Sequence, residues 1–153
     1  MPEDSGPISV RRLQDGDRDR WLELWAGYLR FYRAQIPDRI TELTFERLRD
    51  GAEGMIGLVA TVPGGEPVGF AHLVFHASTW ASNGYCYLED LFVDRSSRGG
   101  EVSRALFEAV FSEARARGAK RAYWQTQQFN GAARSLYDTV GQLTSMVEYE
   151  RSL

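Results

Sequence analysis

The sequence is poor in several features that would each announce a class of protein. It has one cysteine, Cys86, so no intrachain disulfide can form, and the apolar and aromatic neighbours of that thiol suit a reducing compartment; a cytoplasmic protein is expected. No stretch approaches the roughly 18 to 20 uninterrupted apolar residues of a membrane-spanning helix. The longest candidate, Met55 to Val62, is strand-sized, and no membrane association is expected. Lys/Arg blocks are missing, and 18 Lys+Arg against 21 Asp+Glu leave a net charge of −3. That balance provides no electrostatic footprint for nucleic acid and weakly favours a cationic partner. The opening Met1 to Pro7 is acidic without an apolar centre, and reads as a short disordered lead-in rather than a secretory signal. Internal repeats, low-complexity tracts and Pro/Ser-rich linkers are also absent. A chain of 153 residues, 43% hydrophobic, can remove roughly 70% of its unfolded surface from water around one core, so residues 1–153 are expected to form a single domain.

What is present is a run of alternating periodicities. Ile8 to Leu13 alternates apolar and polar residues as a first strand. Asp15-Gly16-Asp17 supplies capping carboxylates for a helix in which Trp21, Leu22, Trp25, Tyr28, Leu29 and Tyr32 recur at spacings of three and four. Pro37-Asp38 ends that run, and Thr44 to Leu48 predicts a second, shorter helix before Gly51. Met55 to Val62 and Pro67 to Ala77 predict a hairpin across Pro63-Gly64-Gly65-Glu66. Tyr85 to Val93 is a further strand, apolar except for Glu89-Asp90 in its middle. Val102, Ala105, Leu106, Ala109, Val110 and Ala114 mark one face of a helix that Gly118 stops. Arg121 to Gln125 predicts a short strand, and Asn130 caps a last helix with inner stripe Ala133, Leu136, Tyr137 and Val140, closed by Gly141. Met146 to Tyr149 predicts a final strand. This β-α-α-β-β-β-α-β-α-β order is an α/β sandwich: a mixed central sheet with helices on both faces.

Chemistry can be sought first at Arg98-Gly99-Gly100, where a turn enters a helix whose unpaired N–H groups and partial positive charge face any anion placed there. A glycine pair serves a simple loop equally well, and both the Walker ending and the dinucleotide-binding glycine spacing are missing. The block Tyr87-Leu88-Glu89-Asp90-Leu91-Phe92-Val93, then Arg98-Gly99-Gly100, then Asn130 with Tyr137 seven residues on, resembles the GNAT superfamily of acetyl-CoA-dependent N-acetyltransferases over most of the chain. Within it the chain looks most like the diamine (spermidine/spermine) acetyltransferases, through Tyr87 to Asp90, and the yeast histone and polyamine acetyltransferase group. The second likeness rests on Leu24-Trp25, Phe31-Tyr32, Pro37-Asp38, Thr79-Trp80, Tyr123-Trp124 and Leu136-Tyr137.

The resemblance implies a three-layer sandwich, acetyl-CoA as cosubstrate, an amine acceptor that is a small molecule or peptide, and a homodimer. It implies that backbone groups of Leu91, Phe92 and Val93 hold the pantetheine arm. Arg98, Gly99, Gly100, Glu101, Val102, Ser103 and Arg104 would hold the pyrophosphate, and Asn130 would hydrogen-bond the arm. It makes Tyr137 the general acid beside the thioester sulfur and Glu89 a base acting through water. The end of the first long helix and the Trp80 loop flank the acceptor cleft in the family, which implicates Tyr28, Tyr32 and Trp80. Read without the resemblance, Tyr137 is a core tyrosine on an apolar stripe, and Glu89 is a carboxylate tied to backbone N–H groups. Strand alternation places Asp90 on the face opposite Glu89, in a structural role.

Two motif glycines of the family's pyrophosphate turn are replaced here, by Glu101 and Ser103. A Glu101 carboxylate facing the pyrophosphate at ~5 Å, in an effective dielectric of ~20, costs about 3 kcal/mol per charge pair; turned to solvent it is screened. The alternative reading is therefore a domain of the same fold with weakened cofactor binding, acting as a protein-interaction module. His72 and His76 lie about 13 Å apart along one strand, too far to share a metal, and no metal site is expected. Cys86 lacks a local base and reads as buried packing.

Overall fold

The computed structural model describes residues 7–153, so the lead-in expected over residues 1–7 lies, apart from Pro7, outside the described residues. Strands β1 (Ser9–Arg12), β2 (Met55–Thr61), β3 (Pro67–Ser78), β4 (Ala81–Val93) and β5 (Ala122–Trp124) form one sheet in the order β1-β2-β3-β4-β5. The first four are antiparallel neighbours, and β5 joins β4 in parallel. Ile56, Leu58, Val59 and Ala60 in β2 are all buried, because helices cover the sheet on both faces and a strand so placed needs a continuous apolar run.

Helices α1 (Arg18–Phe31) and α2 (Asp38–Asp50) cover one face. Their core joins Trp21, Leu24, Trp25, Phe45 and Leu48 to Val59 and Phe70 of the sheet. Helix α3 (Glu101–Ala116) covers the other face, where Val102, Leu106, Phe107 and Val110 meet Ile56, Leu73, Leu88 and Val93. Helix α4 (Gly131–Val140) lays Leu136, Tyr137 and Val140 against that second core. The three-layer α/β arrangement is thus the one the residue patterns imply.

The structure departs from the sequence reading in three elements. Helix α2 begins at Asp38 rather than Thr44. Pro37 occupies the N-cap position with extended ψ, and its carbonyl accepts from the N–H groups of Ile40 and Thr41. Proline there costs no helical hydrogen bond, so it opens the helix instead of merely ending the preceding one. The strand expected over Met146 to Tyr149 does not form: those residues are coil, with Met146 84% and Tyr149 92% exposed. Alternation gives a segment two faces but supplies no neighbouring edge to pair with, and no strand beyond β5 is present among the described residues. Strand β4 also starts earlier than Tyr85, since Ser78 pairs with Ala81 and turns β3–β4 into a tight second hairpin.

Candidate active site

Parallel pairing between β4 and β5 covers only Cys86↔Ala122, Tyr87↔Tyr123 and Leu88↔Trp124. Strand β5 ends there, while β4 continues to Val93 paired with β3 alone. Along Glu89 to Val93, backbone groups on the β5 side therefore meet no strand, and a gap opens in the sheet. Unpaired N–H and C=O groups are obligatory hydrogen-bonding sites, and a ligand with amide groups can satisfy them.

The register of β3 with β4 shifts at the mouth of this gap: His72 faces Asp90, whereas Leu73 faces Leu88. Glu89 is thus the extra residue of a β-bulge, a device that re-aims side chains. Leu88 and Leu91 both meet the α3-side core, while Phe92 meets the α1 side. The alternation expected from sequence is broken, and Asp90 turns to the α1 face. There the Tyr28 hydroxyl donates to Asp90 Oδ1 at 2.5 Å, and His72 Nδ1 lies 2.8 Å from Asp90 Oδ2. The Trp21 indole N–H donates to His72 Nε2 at 3.0 Å. Because an indole only donates, Nε2 is the acceptor of that bond, and Nδ1 is the ring nitrogen directed at Asp90. His72 is buried and stacked on Phe70 at 4.2 Å, which fixes the ring plane.

Helix α1 delivers the aromatic side of the site. Trp21, Trp25, Tyr28 and Tyr32 succeed one another at spacings of four, three and four, the one-face spacing of a helix. Consecutive rings contact at 5.4, 5.3 and 4.9 Å. Burial falls along that ladder from a wholly enclosed Trp21 to a Tyr32 that is 41% exposed, so the ladder runs from core to cleft. A Cβ at Gly27 would lie 3.0 Å from the Phe92 ring; the missing side chain lets α1 approach β4 closely enough for Tyr28 to reach Asp90.

Four groups have proton affinities displaced in a common direction. Partial burial and then the Asp90 charge raise the Glu89 carboxyl above its usual range, opposed by His72. Burial and then Asp90 raise Tyr28 and Tyr32. Burial and then Tyr32 raise Tyr137, opposed by a hydrogen bond with Thr126. All the tyrosines thus remain protonated donors at neutral pH, and Glu89 is a stronger base than a free carboxylate.

Tyr137 enters from α4, its ring set edge-on to Phe107 and Trp124 at 5.7 and 5.9 Å. Thr126 Oγ1, beside it, is buried and has no hydrogen bond of full geometry among the described residues. Asn130 Oδ1 accepts from the Ala133 N–H at 3.4 Å and caps α4, leaving its amide N–H₂ available to a pocket of about 240 Å³ shared with Phe31, Tyr32, Gln127 and Phe129. At the far end of the gap, Gly100 (φ +91°) turns the chain into α3. The first-turn N–H groups of Glu101, Val102 and Ser103 are unused within the helix. Glu101 is exposed and makes no side-chain hydrogen bond or ion pair among the described residues, so its charge is in water.

The fold therefore gathers Glu89, Leu91, Phe92 and Val93 of β4, the turn from Arg98 to Arg104, Asn130, Tyr137, Tyr28 and Tyr32 around one gap. Trp80 is not gathered. It sits 84% exposed at the tip of the β3–β4 turn, nine residues and about 30 Å of extended strand from Glu89. Asp90 and His72 are the members that sequence reasoning missed; two adjacent carboxylates in an apolar strand were the available sign of a bulge. Cys86, buried, is pushed up to about 11, and is no nucleophile. No group of three or more His, Cys, Asp or Glu side chains is placed to hold a metal among the described residues.

The arrangement combines a carboxylate base, a protonated hydroxyl, an edge of unpaired backbone and a ring of amide N–H groups. Comparison with known proteins gives that combination a setting. The sequence profile of the Acetyltransferase (GNAT) family matches residues 19–141. The chain is 32% identical over 146 residues to a D-amino-acid N-acetyltransferase of Saccharomyces cerevisiae, covering 95% of this chain and 91% of that protein. It is 30% identical over 145 residues to an aminoglycoside N(6')-acetyltransferase type 1 of Klebsiella aerogenes, covering 90% of each. Among solved structures, an AAC(6')-Iy complex with a bisubstrate analogue superposes with a TM-score of 0.82 at 19% identity, covering 97% of this chain and 99% of that one.

Proposed function

The chain belongs to the acetyltransferase (GNAT) family, and from that premise we propose that it moves an acetyl group from acetyl-CoA to the primary amine of a polyamine, an amino acid or a lysine side chain by direct attack. The observation that carries this reading is the gap itself, where β4 runs on to Val93 past the end of β5 at Trp124. Its residues suit the cosubstrate. The β4 backbone from Leu91 to Val93, which has no strand on its β5 side and gives the Val93 carbonyl to Arg98, matches the amides of a pantetheine arm, and the buried Thr126 Oγ1 beside Tyr137 can take a further partner. The first turn of α3 presents N–H donors to a pyrophosphate. When bound, acetyl-CoA supplies the thioester carbonyl that an amine attacks.

The protein's own residues address two proton problems. An alkyl amine of pKa about 10.4 is almost wholly protonated at pH 7, a handicap of about 4.6 kcal/mol. Glu89, with its proton affinity raised, removes that proton through water. Asp90, held by the Tyr28 hydroxyl and the His72 ring, stands next to Glu89 on the strand. Tyr137 donates its hydroxyl proton to the departing sulfur, whose thiol pKa is near 8.5.

Following acetyl-CoA consumption with a panel of primary amines tests the reading; absence of turnover with every amine would overturn it. Glu89→Gln is expected to lower kcat/KM about 100-fold at pH 7. Ionised Glu89 is the active form, so the wild-type rate rises as pH passes upward through its elevated pKa. The variant lacks that limb and recovers only as the amine itself deprotonates. A pH profile that the substitution leaves unchanged would remove Glu89 from the chemistry. Glu101→Gly is expected to change the calorimetric affinity for acetyl-CoA by less than about threefold, because a solvated charge is screened; a hundredfold gain would show that Glu101 obstructs the site.

A further inference from the structure

A chain of hydrogen bonds crosses the α1-side core from Trp21 to Tyr28, and the reaction derived above gives it no step. The wholly enclosed Trp21 indole N–H donates to His72 Nε2 at 3.0 Å. His72 Nδ1 lies 2.8 Å from Asp90 Oδ2, and the Tyr28 hydroxyl donates to Asp90 Oδ1 at 2.5 Å. The members at the inner end are buried, His72 to 2% exposure, whereas Tyr28 is only partly covered. A buried polar network whose members are all paired fixes one arrangement of its side chains. Here the side chain fixed at the outer end is a phenol at the edge of the gap.

The network sets the polarity of the Tyr28 oxygen. A phenol carries one proton; Tyr28 gives it to Asp90, so toward any further partner the oxygen can only accept. Donation to a carboxylate also polarises the O–H and makes its oxygen a stronger acceptor. The ring is held against turning away, with Trp25 stacked on it at 5.3 Å and Phe70 and Phe92 edge-on at 5.8 and 6.2 Å. The charges of both Asp90 and Glu89 bear on the hydroxyl. Tyr32, the next rung of the ladder, reaches the cleft and bears in turn on Tyr137. An oxygen that only accepts, in the field of two carboxylates, favours a cationic N–H donor. We infer that Tyr28 is the docking group for the acceptor's ammonium, its oxygen accepting an N–H of the amine, and that His72 and Trp21 are positioning residues that act through Asp90. This rests on reading the gap as the site of an amine acetyltransferase. A primary amine keeps N–H groups after Glu89 has taken its proton, so the bond serves the bound ammonium and the attacking amine alike. Its loss therefore falls on KM and spares kcat.

Tyr28→Phe keeps the ring and its stacking. It is expected to raise KM for the best amine of the panel at least about 10-fold, in line with one hydrogen bond to a charged group, with kcat and the KM for acetyl-CoA changed by less than about twofold. His72→Leu should act in the same way. His72→Gln should stay within about threefold of wild type, because its carbonyl can accept from Trp21 while its amide donates to Asp90. In Tyr28→Phe/His72→Leu the KM should be no higher than in Tyr28→Phe alone, since His72 acts only through the hydroxyl. Effects that multiply in the double variant overturn the positioning role, as does a His72→Leu protein that loses stability but keeps its KM. An unchanged KM in Tyr28→Phe, or a fall in kcat at constant KM, overturns the docking role whether or not the His72 variants fold. Calorimetric binding of 1,5-diaminopentane reads the same contact without turnover. Failure to acetylate any amine would count against the acetyltransferase reading alone; weaker binding by Tyr28→Phe than by wild type still supports the docking role, and equal binding overturns it.

Discussion

Tyr137→Phe is expected to lower kcat about 100-fold, or about 2.7 kcal/mol in the barrier, with acetyl-CoA affinity changed by less than about twofold. The substitution removes one oxygen and leaves the ring, so the edge-on contacts with Phe107 and Trp124 persist. Helix α4 keeps its packing, and the lost function is the proton donor alone. Burial followed by the nearby Tyr32 raises the Tyr137 pKa, so the hydroxyl holds its proton across the neutral range and gives it up only above the ordinary tyrosine value near 10. Wild-type kcat should therefore show no loss from this group until pH exceeds that value. Single-turnover kinetics at saturating acetyl-CoA check the prediction, and an unchanged rate would remove Tyr137 from the chemistry.

Phe107→Ala is expected to cost about 3 to 5 kcal/mol of folding stability, read as a shift of the urea midpoint at constant slope. Phe107 is 1% exposed, and its ring meets Phe111, Trp124 and Tyr137 at 5.9, 4.9 and 5.7 Å. Truncation leaves a void walled by three large rings of the second core, which cannot collapse without tilting Phe111, Trp124 and Tyr137. Activity per folded molecule should fall as well, since the ring of Tyr137, the proposed acid, rests on that wall. Phe107→Leu, which restores most of the volume, should recover most of the loss. A midpoint shift below about 1 kcal/mol for the alanine variant would contradict the close packing of α3 against β5 and α4.

Much of this fold is legible before any coordinates. The aromatic recurrence in α1, the hairpin turn at Pro63 to Glu66 and the stripe of α3 are local signals, each contained within a few helical turns or strand residues. What escaped the sequence depends on neighbours distant in the chain. The start of α2 was hidden because its buried stripe, Thr41, Phe45 and Leu48, is thin and opens on a threonine. Met146 to Tyr149 alternates as a strand but stays coil, its Glu148 meeting the end of β5 only through the Gln125 side chain. The partners of Asp90, Tyr28 and His72, were hidden because period-two alternation assumes an unbroken register, and the bulge between His72 and Leu73 breaks it. Trp80 shows the converse limit: a residue matched by motif alone sits about 30 Å of strand from the group it was expected to join.

The order of the strands also governs how the molecule comes apart. Strands β1 to β4 are neighbours both in space and along the chain, with β2–β3 and β3–β4 joined by short turns, so those pairings close small loops and form early. The β4–β5 seam joins residue 88 to residue 124, and loop-closure entropy makes such a contact slower to form. Only three residues of β5 hold it. Amide exchange should therefore find β5 and α4 opening as a unit at lower free energy than β2 and β3. A ligand threaded along Leu91 to Val93 and touching Asn130 bridges the two units, and by mass action protects the weaker one from opening.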